Sequence, residues 1–76
     1  MRGIISRIHL NQGYGFVRGE DNLVRFMFVR DVIPVSDFDK MHEGQLVEFE
    51  ATTTERGPRA VKVRYLIHEF DLPGIE

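Results

Sequence analysis

The chain has 76 residues with no cysteine and no tryptophan, and its ten Lys/Arg against twelve Asp/Glu give a formal net charge of −2. That length makes one small domain, burying only about 60% of its unfolded surface, and without cysteine there is neither a disulfide staple nor a thiolate for catalysis or metal binding. No apolar run approaches the roughly 20 residues that cross a bilayer, and Met1 to His9 lacks the features of a secretory signal, so the expectation is a soluble cytoplasmic protein with no membrane partner.

Residues 3–10, G-I-I-S-R-I-H-L, are rich in β-branched residues and predict a first strand. The Ile4-Ile5 pair breaks strict alternation, which implies a bend or burial on both faces. Asn11-Gln12-Gly13 reads as a turn. Residues 14–18 and 23–29 predict two strands facing each other across a polar turn at Gly19-Glu20-Asp21-Asn22. Asp31-Val32-Ile33-Pro34 then ends the ladder, because proline lacks the donor that a central strand needs. Residues 35–45 form a polar connection that carries Phe38 and Met41, with room for a single helical turn after Ser36. Leu46 to Thr54 alternates, with Val47, Phe49 and Ala51 inward and Glu48, Glu50 and Thr52 outward. After a turn at Glu55-Arg56-Gly57-Pro58, a last strand runs from Arg59 to Leu66. Five short strands and no sustained helical period predict an all-β fold, a five-stranded antiparallel barrel of the OB type.

The central hairpin holds four of the eight aromatics. Alternation puts Tyr14, Phe16 and Arg18 on one face and Val17 on the other. On the next strand Phe26, Phe28 and Arg30 share a face opposite Met27 and Val29. The aliphatic set is the natural core, since burying the rings would bury Arg18 and Arg30 with them, unpaired. The rings and guanidinium groups are left outward, as single-stranded nucleic acid requires, because each base offers a π-face and each linkage a negative charge. Charge follows the rings. Residues 1–30 hold five arginines against Glu20 and Asp21, whereas residues 31–76 hold five basic and ten acidic side chains. The three histidines are too scattered for a metal site, no dinucleotide or phosphate loop is present, and no catalytic constellation emerges. The expectation is a non-enzyme without cofactor.

The same residues carry a family resemblance. Gly13-Tyr14-Gly15-Phe16-Val17 resembles the first ribonucleoprotein motif of the cold-shock domain, usually K-G-F-G-F-I, and Phe28-Val29-Arg30 resembles its second, usually V-F-V-H. Glu43 to Glu50 and Arg56 to Val63 resemble the fourth and fifth strands, so the likeness covers roughly Arg2 to Leu66. It implies the same barrel, and it assigns Phe38 a base-stacking role, against the alternative of a plug over the barrel end. The family's first strand usually reads K-W-F-N, where this chain has Ser6-Arg7-Ile8-His9. Arg7 then stacks its planar guanidinium on a base, and His9 stacks or contacts phosphate. Arg30 stands for the motif histidine, Gln12 for the lysine before the glycine, and Asp31 for an aromatic. The surface has lost rings and gained arginines.

The resemblance implies a protein that binds single-stranded RNA or DNA with little sequence preference and acts as an RNA chaperone. The alternative is a barrel that uses the same face or its tail to bind protein or a second copy of itself. The domain is expected to span 1–66. Residues 67–76 then form an acidic-apolar tail that either packs on the barrel or lies across the binding face.

Overall fold

The computed structural model describes residues 1–66; the domain boundary and both roles expected of the tail at 67–76, including Phe70, lie outside the described residues. Its strands are β1 (Arg2–His9), β2 (Tyr14–Gly19), β3 (Val24–Phe28), β4 (Leu46–Thr54) and β5 (Gly57–Tyr65). They close into a barrel in the order β1-β2-β3-β5-β4. One seam differs from the all-antiparallel expectation: β3 runs parallel to β5, with Phe26 opposite Arg59. The reason is arithmetic, since an odd number of strands cannot alternate in direction all the way round a closed ring.

The core follows from alternation. Ile5, Val17, Met27, Val47, Phe49, Ala60 and Val63 are buried from all five strands. The connection between β3 and β4 adds Val32, Phe38 and Met41, the last two flanking the end of a 3₁₀ turn over Val35–Lys40. Phe38 is 1% exposed, which corrects its expected role at the binding surface. Large enough to close the barrel, the ring is buried as the plug, and no base can reach it. Tyr65 also packs against this core, and burial pushes its phenol pKa up.

Two bulges set what faces outward. In β1, Ile5 pairs with Val17 but Arg7 pairs with Phe16, so Ser6 is an extra residue, and its hydroxyl donates to the Phe16 carbonyl at 3.3 Å. The extra residue reverses the parity of the strand. Ile5 points inward, and Arg7 and His9 point out beside the rings instead of following Ile5 into the core. Ile4 is exposed, so the Ile4-Ile5 pair marks a bend rather than burial on both faces. The second irregularity lies on β5, where Lys62 takes a positive φ of 52° between the pairs Glu48–Arg64 and Glu50–Val61. Past it β4 leaves the core, and Ala51, expected inward, is exposed.

The barrel end beside the β2–β3 turn is closed by a charged lid. Arg25 takes the core-facing position opposite Val17 and is 6% exposed. Its guanidinium donates to both carboxylate oxygens of Asp21, at 2.7 and 3.1 Å, and lies 5.5 Å over the Phe49 ring. Pairing makes the burial tolerable. The hydrogen bond from Arg25 holds the Asp21 carboxyl down at about 2. Gly19 leaves room for this lid: a Cβ there would stand 2.6 Å from the guanidinium and 2.7 Å from the carboxylate.

Candidate nucleic-acid interface

Three strands build the outward face, and their register fixes which groups meet. Tyr14 pairs with His9 on one side and Phe28 on the other, and Phe16 pairs with Arg7 and Phe26. Two adjacent rows result, His9-Tyr14-Phe28 and Arg7-Phe16-Phe26. Arg18 stands in the next row between Ile4 and Val24, exposed and without a ring beside it.

The rings touch in aromatic geometries rather than burying one another. His9 stacks on Tyr14 at 4.8 Å with 29° between planes. Tyr14 meets Phe16 edge-on at 5.9 Å, and Phe26 meets Phe28 edge-on at 5.2 Å. The edge-on contacts hold Phe16 and Phe26 with no other ring stacked on them among the described residues. All four hairpin rings are half-buried. Tyr14, Phe16, Phe26 and Phe28 line an open hollow that Arg56 flanks.

Arg30 comes to lie beside these rings by a different route from the one expected. β3 ends at Phe28, and Arg30 sits in a 3₁₀ turn over Val29–Asp31. Strand alternation therefore does not place it. Its guanidinium folds back over the Phe28 ring at 4.7 Å.

Asp31, Arg56 and Arg59 were missed by the sequence reading. Asp31 is 6% exposed; one carboxylate oxygen accepts the Phe28 backbone N–H at 2.8 Å. Arg59 donates to the same carboxylate twice, through Nε at 3.0 Å and Nη2 at 2.8 Å. This pairing raises the Arg59 pKa and orients its guanidinium 5.1 Å over Phe28 and 5.9 Å over Phe26. A second hollow next to the first is lined by Phe26, Phe28, Arg30, Arg56 and Arg59, with Glu55 on its wall. The block Arg56-Gly57-Pro58-Arg59 was visible in the sequence. Its neighbourhood was not, because only the parallel seam brings Arg59 beside Phe26.

Of the nine residues expected at the site, Arg7, His9, Tyr14, Phe16, Phe26 and Phe28 lie in the two rows, and Arg30 lies over Phe28. Arg18 marks the edge, and Phe38 is in the core.

A closed five-stranded barrel with half-buried rings and arginines on its β1–β3 face defines an OB-type module. The family described as 'Cold-shock' DNA-binding domain matches residues 1–66. A cold shock-like protein of Aquifex aeolicus is 38% identical over 66 residues, covering 86% of this chain and 93% of that protein. Cold shock-like protein CspE of Escherichia coli K12 is 32% identical over 63 residues, covering 83% and 91%. Among solved structures, drosophila Unr CSD456 aligns with a TM-score of 0.70 at 23% identity, over 90% of this chain and 27% of that longer one. The chain belongs to the cold-shock domain family, whose description is that of a DNA-binding domain.

Proposed function

We propose that the protein binds single-stranded RNA or DNA along its β1–β3 face and acts as an RNA chaperone with little overall sequence preference. The observation that supports this most is the pair of half-buried ring rows, held edge-on to each other beside the exposed Arg7, Arg30 and Arg56. Stacking tolerates any base and contributes roughly 1–3 kcal/mol per ring used, while each arginine that reaches a phosphate releases a counterion. No bond is made or broken. A protein that binds the open strand and not the paired one lowers the free energy of the open form, as any ligand stabilises the state it binds.

Two titrations test this. Labelled heptamers of pyrimidine or purine are expected to bind, and a hairpin RNA carrying a fluorophore and quencher is expected to open as protein is added. Binding without opening removes the chaperone role, and no binding removes the proposal. Ile4 and Val24, exposed on either side of Arg18, favour a second reading in which two copies pair through this edge. Sedimentation equilibrium separates the two, because self-association requires a dimer in the absence of nucleic acid.

A further inference from the structure

The Asp31–Arg59 pair does something a phosphate-binding arginine does not require. Asp31 engages the side edge of the guanidinium, Nε and Nη2. Arginine has five N–H donors in a rigid plane. The end edge, Nη1 with the second N–H of Nη2, has no partner among the described residues. Asp31 also offsets the positive charge, which weakens attraction to a phosphate but leaves the two end-edge donors where they are. The guanidinium carbon lies 5.1 Å from the centre of the Phe28 ring and 5.9 Å from that of Phe26, rings shared by the aromatic hollow and the arginine-walled one. The two hollows therefore adjoin at the rings that Arg59 overlies.

We propose that Arg59, oriented by Asp31, reads the edge of one stacked base and selects guanine there. Two parallel donors require two adjacent acceptors. Guanine offers O6 and N7, the commonest specific partner of an arginine, on a purine with a large stacking face. Cytosine offers O2 and N3 on a smaller ring. Adenine sets a donor beside N7, and thymine and uracil set N–H between their carbonyls, so none of these satisfies both N–H groups. This inference rests on the proposed single-strand function and adds a base preference at one position of an otherwise tolerant surface. Arg30 and Arg56, exposed and outside this ion pair, are left for the phosphates.

The test uses four heptamers, oligo-thymidine with T, A, C or G at the centre, titrated against the full chain by fluorescence anisotropy. The expected order is G, then C, then A and T together, with G about 5-fold or more tighter than T. Arg59→Lys keeps the charge and loses the fork. It is expected to bring the G-to-T ratio to about one while leaving the slope of log affinity against log salt unchanged. A G-to-T ratio that survives in Arg59→Lys, together with a slope lower by about one unit in Arg59→Gln, makes Arg59 a phosphate contact and overturns the inference. Equal affinity of the unaltered protein for the four strands overturns it too, with no variant needed, and leaves the functional proposal standing. No binding to any strand overturns both.

Discussion

Replacing Phe16 with Ala separates the surface from the core. Phe16 sits at the middle of the face, paired with Arg7 on β1 and Phe26 on β3, its ring 5.9 Å edge-on to Tyr14. It is half-exposed and lies outside the cluster that fills the barrel. Losing one stacked base costs roughly 1–3 kcal/mol, or about a 5- to 150-fold weaker Kd. Folding loses only the ring's edge contacts, about 0.5–1.5 kcal/mol for an aromatic pair. Phe49, 2% exposed in the same cluster, gives the opposite pattern, because Phe49→Ala leaves a cavity that costs about 3–5 kcal/mol. Anisotropy of a labelled oligo-thymidine heptamer reads binding, and urea denaturation of the same preparations reads stability. If Phe16→Ala destabilises as much as Phe49→Ala, or leaves Kd unchanged, the faces have been assigned wrongly.

Phe38→Ala is expected to lower stability by about 3–5 kcal/mol with affinity per folded molecule intact; a binding loss at unchanged melting temperature would return Phe38 to the surface. Deleting Ser6 removes the bulge and turns either Ile5 or the pair Arg7 and His9 to the wrong side, so circular dichroism is expected to find no cooperative melt, and a native-like melt would refute the parity argument. The Asp21 carboxyl lies at about 2 in the folded chain, below its ordinary value of about 3.9. Its contribution is therefore complete above about pH 4 and lost as pH falls through about 2. Denaturation midpoints measured down this range are expected to fall more steeply for the unaltered chain than for Asp21→Asn, and parallel curves would dismiss the pair. Arg30→Gln is expected to reduce the slope of log affinity against log salt by about one unit, and an unchanged slope takes Arg30 off the backbone path.

Alternation alone was enough to read the two faces of the central hairpin, because Val17 and Met27 fill the core while Tyr14, Phe16, Phe26 and Phe28 stay at the surface. Arg25 escaped that logic. It occupies a core-facing position, and only the turn that returns Asp21 to it makes a buried guanidinium acceptable. In β1, Arg7 and His9 stand beside the rings only because of one inserted residue that no periodicity announces. Phe38 went wrong because its place came from resemblance, whereas its burial comes from how the connection folds under the barrel. Asp31 and Arg59, distant in sequence, became one unit only when β5 docked beside β3. Closure of the ring is a long-range event, and short-range patterns do not record it.

The central claim is that single-stranded nucleic acid lies across the β1–β3 face. It is tested most directly by a ¹H–¹⁵N correlation titration of the protein with an oligo-thymidine heptamer. The amides of Arg7, His9, Tyr14, Phe16, Phe26, Phe28, Arg30 and Arg59 are expected to shift and saturate together, while those of Glu48 and Glu50 on β4 stay put. Shifts that centre on Glu48 and Glu50, or no shifts at saturating strand, would contradict it.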